Sequence, residues 1–213
     1  MTHGSRQVNE AIRSLVAGQA SPIVVALDGG SGAGKSTLAS SIQSQFDVAL
    51  VPLDDFFSAS IPDARWDELT VEERLNHVFD WQRVRDSALE PLRGGRPAGW
   101  YPFDFASGIQ PDGTYRMLAD PVERPPARVI LLEGAYSAHP ILADLVDLAI
   151  LIDAPMETRH KRLASREEKN FLRRWHQRWD PVENYYFTYV RPRSSFDLVV
   201  TFTGEPGGSP RHA

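Results

Sequence analysis

Cysteine is missing from all 213 residues. Its absence excludes disulfides, a thiolate metal site and a cysteine nucleophile, and it agrees with an expected cytoplasmic location. No apolar run approaches the ~20 residues that cross a bilayer, so no membrane partner is expected. The first residues lack a basic start followed by an apolar core, and no secretory signal is expected there. No internal repeat stands out, and the guanine-reading pattern Asn-Lys-x-Asp does not occur. Positive charge is not in excess either: 23 Lys and Arg stand against 28 Asp and Glu, a net charge of −5. A broad nucleic-acid surface is therefore not expected. The remainder is 42% hydrophobic and 24% charged, the composition of one globular α/β domain with a real core.

The most informative stretch is residues 23–37. Ile23 to Leu27 is short, apolar and β-branched, as a buried strand should be. Asp28 follows, and then Gly29, Gly30, Ser31, Gly32, Ala33, Gly34, Lys35, Ser36 and Thr37, which meet the phosphate-loop pattern G-x-x-x-x-G-K-[ST]. Leu38 to Ile42 then reads as the start of a helix. Strand, glycine loop and helix are the context that this pattern requires. A polyphosphate carries several negative charges and many acceptor oxygens. Glycines let the backbone turn its N–H groups inward, and the helix N-terminus adds its dipole. Lys35 brings a mobile positive charge to the terminal phosphates, and the Ser36 hydroxyl suits Mg²⁺.

Along the chain, residues 5–17 have the spacing of a packing helix, and the helix after the loop is expected to reach Gln45. Val48 to Leu53 reads as the second strand and ends in Asp54-Asp55-Phe56-Phe57. Open α/β sheets bind ligands at the carboxyl ends of their strands. One Asp of this pair could take a proton from an attacking hydroxyl, while the other holds a metal-bound water or caps a turn. Residues 58–127 are too long for a simple connection and imply an inserted helical portion. Within it, Val71 to Leu89 has helical spacing with Asp80 beside Trp81, and residues 93–115 mix Gly, Pro and aromatics around Phe103 and Asp104. Polar groups among aromatics suit a small-molecule pocket.

Val129 to Leu132 is a third strand ending in Glu133-Gly134, Leu145 to Ile152 a fourth, and Phe196 to Phe202 a fifth. Arg159, Arg162 and Arg166 fall at i, i+3 and i+7 on one helix face, where guanidiniums can meet charge developing on a phosphoryl group. Asp180-Pro181-x-Glu183 reads as a helix start, and the Tyr185, Tyr186, Phe187 and Tyr189 stripe reads as core. Gly204 to Ala213 reads as a flexible tail.

In combination, the glycine loop, Asp54-Asp55-Phe56-Phe57, Pro102-Phe103-Asp104-Phe105, Leu132-Glu133-Gly134 and Thr158-Arg159 with Arg162 and Arg166 resemble one family. It is the uridine kinase, nicotinamide riboside kinase and phosphoribulokinase-like branch of the P-loop kinases. The resemblance implies a three-layer α/β fold with a parallel five-stranded sheet. It implies a single domain, with a core over about 20–57 and 127–203, a substrate-binding insertion over 58–126 and an Arg-rich lid over 158–180. It also implies ATP and Mg²⁺, a small-molecule hydroxyl as acceptor, and Asp54 as its general base. Lys35, Arg162 and Arg166 would serve catalysis, and Arg159 and the loop residues would bind ATP. Ser36 and Glu133 would serve the metal, and Asp80, Phe103 and Asp104 the acceptor. Self-association is left open. Two positions depart from uridine kinases: Phe103 stands where they carry Tyr, and Ala106, Ser107 and Gly108 follow where they carry a His. The acceptor may thus be a nucleoside, another riboside or a different small alcohol. The competing readings are a nucleotide-dependent ATPase switch and, because of Arg93 and Arg96, a nucleoside monophosphate kinase.

Overall fold

The computed structural model describes residues 3–165 and 169–201. A parallel sheet of five strands runs through it in the order β2-β5-β1-β6-β7. The strands are β1 (Ile23–Asp28), β2 (Val48–Pro52), β5 (Val129–Glu133), β6 (Leu148–Asp153) and β7 (Leu198–Thr201), with β3 (Ala98–Trp100) and β4 (Val122–Arg124) forming a separate antiparallel pair. All six residues of β1 are buried, as expected of a central parallel strand with helices on both faces.

The pleat sorts that strand's side chains. Ile23, Val25 and Leu27 face a core made with Val8 and Ile12 of α1 (His3–Gly18) and Leu38, Ala39 and Ile42 of α2 (Lys35–Gln43). Val24 points the other way, with Val51, Ile130 and Leu132, into a second core built largely from the chain between β2 and β5. That chain folds into α3 (Asp63–Glu68), α4 (Val71–His77), α5 (Trp81–Arg83), a π-helical turn Val84–Leu89, and α6 (Glu90–Arg93). The second core is closed by Trp179, Val182 and Tyr186. These come from α8 (Lys169–Tyr185) and the π turn Tyr186–Val190 behind it, with α7 (Met156–Ala164) preceding them.

Two expected elements come out differently. The helix expected over Val71 to Leu89 breaks at Val78–Asp80, because Phe79 bridges to Phe57 and the Asp80 N–H donates to the Phe56 carbonyl at 2.9 Å. Asp80 then restarts the helix by accepting from the Arg83 N–H at 3.0 Å. The helix expected to start at Asp180 does not start there, for Pro181 lies inside α8. Proline removes one helical hydrogen bond, but the neighbouring Trp179 and Val182 are buried in the core, and that packing carries the helix across it. The tail at 204–213 lies outside the described residues, as do Phe202 and Arg166. No described helix is long and apolar enough to cross a membrane.

Candidate active site

The glycine loop joins β1 to α2 at the carboxyl edge of the sheet. Gly29 has φ +147°, and a Cβ there would lie 2.5 Å from the Ile152 carbonyl oxygen, so only glycine lets the loop leave β1 so close to β6. Lys35 is 9% exposed, and its Nζ donates to the Gly29 carbonyl at 2.8 Å and the Gly30 carbonyl at 3.2 Å. Its ammonium thus lies across the loop, where phosphate charge would be met. Ser36, one residue on, is 3.3 Å from Glu133 Oε1. Two hard oxygen donors, a hydroxyl and a carboxylate, fit Mg²⁺.

Three strand ends bring the acidic groups together. Pro52 pairs with Glu133 in the β2–β5 register, and Leu27 pairs with Glu133 in the β1–β5 register. Asp54 follows β2 within a 3-10 turn, Leu53–Phe56. At Gly134 a Cβ would come 2.6 Å from the Leu53 Cβ, so glycine allows the Glu133 turn to lie against the turn that carries Asp54. The two Asp residues have different surroundings. Asp55 accepts from Trp100 Nε1 at 2.8 Å, and its carbonyl accepts from the Phe103 N–H at 2.9 Å and Arg83 Nη2 at 3.1 Å. Burial pushes its carboxyl above the usual range, partly offset by the Trp100 hydrogen bond. Asp54 is exposed, and among the described residues its carboxylate has no hydrogen bond or ion pair.

In the inserted segment, Phe103 is buried against Phe57 at 5.1 Å, Phe105 at 4.5 Å and Tyr115 at 5.2 Å between ring centroids. Asp104 accepts from the Ala106 and Ser107 amides at 3.0 and 3.1 Å, and Asp80 caps α5. On the opposite side, the arginines of α7 hold the loop through its carbonyls. Arg162 Nη1 donates to Gly32 and Ala33, each at 3.2 Å, and Arg159 Nη1 donates to Ser31 at 3.1 Å.

From the sequence, no site role is expected of Glu183, Asp28 or Tyr136. Glu183, 5% exposed, accepts from the Ser31 N–H and from Arg159 Nη1, both at 2.7 Å. Asp28 is fully buried and takes four hydrogen bonds: from the amides of Gly29 (2.6 Å), Tyr136 (2.9 Å) and Ala138 (2.9 Å), and from the Tyr186 hydroxyl (2.6 Å). Burial pushes the Asp28 carboxyl up, while those donors and the Lys35 charge pull it back. Tyr136 itself has φ +66°, a left-handed strain fixed by the bond from its N–H to Asp28. No spacing rule points at these partners, because they lie 108 to 158 residues away from Asp28 in the chain.

No family model matches the sequence. A uridine kinase from Staphylococcus aureus is 28% identical over 178 residues, covering 79% of this chain and 78% of the relative. A structure described as a possible uridine kinase from Bacillus stearothermophilus superposes with TM-score 0.62 at 18% identity, over 91% of this chain and 98% of that one. The chain is thus similar to the uridine kinase-like branch of the P-loop kinases. A kinase assigned to a fructose transport system in Silicibacter sp. TM1040 shares the fold at TM-score 0.61 and 22% identity, over 89% of this chain and 98% of that one. These likenesses support a kinase, a transferase whose glycine loop serves a nucleotide. The three-layer α/β fold is the one that the resemblance implied.

Proposed function

We propose that this kinase transfers the γ-phosphate of ATP, with Mg²⁺, to a hydroxyl of a nucleoside or similar small metabolite. The observation that carries this reading is the split between the adjacent carboxylates. Asp55 is tied to Trp100 and the inserted segment, and Asp54 stands exposed at the end of β2 beside Glu133. A general base needs a carboxylate open to the acceptor and held on a rigid element, and Asp54 meets both needs. A switch without an acceptor has no use for such a group.

In this reading the loop amides and Lys35 bind and orient the phosphates. Ser36 and Glu133 would hold Mg²⁺, which when bound supplies charge neutralisation on the phosphate oxygens. Asp80, Phe103 and Asp104 form the acceptor side, with the aromatic rings around Phe57 excluding water. Asp54 accepts the proton of the attacking hydroxyl as the new O–P bond forms and the bond from the γ-phosphorus to the bridging oxygen breaks, releasing ADP. Arg159 and Arg162 belong to a lid whose charges stabilise the transferring group, and the resemblance assigns Arg166 to it as well. Leaving the loop carbonyls for the phosphate would be their closing movement.

The test is ADP release with ATP and Mg²⁺ against uridine, cytidine, nicotinamide riboside, pantothenate, ribulose 5-phosphate and simple sugars. Stimulation by one acceptor is expected. Asp54→Asn should then lower that turnover by about 10²- to 10⁴-fold, the usual contribution of a general base, with ATP affinity nearly unchanged. Slow hydrolysis indifferent to every acceptor, and equal in Asp54→Asn, would favour the switch.

A further inference from the structure

A cluster away from the glycine loop has a different chemistry. His160 on α7 faces His176 and Asp180 on α8, and one ligand atom from each lies within 4.8 Å of the others. His176 and Asp180 are four residues apart on one helix face, with Nδ1 of the ring 3.0 Å from Asp180 Oδ1. Nε2 of His160 lies 3.3 Å from Asp180 Oδ2. Yet that nitrogen is buried and has no aligned hydrogen bond, so its contact with the carboxylate is not hydrogen-bond geometry. The two rings are 4.0 Å apart between centroids, at 42°, too tilted to be a simple stack.

We propose that His160, His176 and Asp180 form a transition-metal site, best suited to Zn²⁺, that clips α7 to α8. Two ligands held ~2.0–2.1 Å from a tetrahedral zinc are about 3.3 Å apart. The 3.3 Å contact runs to Oδ2 of Asp180 and the 3.0 Å contact to Oδ1, and one ligand atom from each residue lies within 4.8 Å of the others, so the three groups face one point and would draw in on an ion to reach that edge length. Two imidazoles and one carboxylate are a borderline donor set that favours Zn²⁺ over Mg²⁺ or Ca²⁺, which take oxygen. All three residues are only partly buried, which leaves an ion and its water ligand a way in. The site lies beside the phosphate machinery. Arg159 precedes His160, and Glu183, its partner, lies one helical turn beyond Asp180. An ion here would hold that Arg–Glu pair on the Ser31 backbone. The inference does not depend on the identity of the acceptor, or on the protein's being a kinase rather than a switch.

The test uses the full chain without nucleotide. Zn²⁺ is titrated by calorimetry and Co²⁺ by visible absorption. One equivalent of each is expected to bind, with the intense visible band of low-coordinate Co²⁺, and Zn²⁺ should raise the melting temperature. His160→Gln and His176→Gln, each checked for folding by circular dichroism, should each weaken Zn²⁺ binding by roughly tenfold or more, since even outer-shell changes cost that much. Ser36→Ala, which alters the presumptive Mg²⁺ position, should leave the Co²⁺ band in place. Failure to bind Zn²⁺, or binding that both histidine variants retain at full affinity, would overturn the site.

Discussion

At the scale of single residues, the buried polar groups decide more than the exposed ones. Asp28 is fully buried, and its carboxyl group rests on four donors. Tyr186→Phe removes one of them and leaves a buried oxygen short of a partner. A loss of about 1–3 kcal/mol in denaturant unfolding is expected, the cost of stranding such a group. His139 offers a pH signature. Its ring stacks on Trp81 at 4.8 Å, its Nδ1 accepts from the Ile141 N–H at 3.2 Å, and burial pulls its pKa down to about 4 from 6.5. The unfolded chain therefore binds more protons between those values. His139 contributes stability above pH 6.5, and this is lost as pH falls towards 4. His139→Asn keeps an acceptor for Ile141 and cannot charge. Its melting temperature should fall less steeply than the wild type's across that window.

At the scale of elements, α8 links the two sides of the site. Its Trp179 and Val182 pack into the core, Arg178 bonds Asp63 and Asp67 of α3, and Glu183 reaches the glycine loop. The Asp63 carboxyl is accordingly held below the usual range by the Arg178 hydrogen bond. Glu183 places a carboxylate against a loop built to receive phosphate. Glu183→Gln keeps an acceptor for the Ser31 N–H but frees the Arg159 charge. ATP should then bind several-fold more tightly in calorimetry, because a negative charge beside an anion site has gone. The same variant should lose about 3 kcal/mol of stability, as expected when a buried pair keeps only one charge. Equal ATP affinity in both proteins would separate Glu183 from the phosphate site.

For the whole molecule, the strands and the glycine loop were legible because their cues are local. Ile23 to Leu27 is a contiguous apolar run, and the loop pattern has fixed spacing. The Asp54-Asp55 pair was visible as adjacent carboxylates at a strand end, but their different surroundings were not: the Trp100 contact spans 45 residues. α8 misled for the opposite reason. Asp180-Pro181 is a strong local start signal, and long-range packing of Trp179 and Val182 overrides it. Glu183, visible only as part of that false start, turned out to touch the loop. Local rules find what a segment is, and contacts across the fold decide what its side chains meet.

The second core has a spectroscopic consequence. All five tryptophans of the chain, at positions 66, 81, 100, 175 and 179, belong to that cluster or pack against it, and none lies in the core beneath α1 and α2. Intrinsic emission is thus a one-sided lamp. It illuminates the half built around the inserted segment and leaves the face beneath α1 and α2 dark.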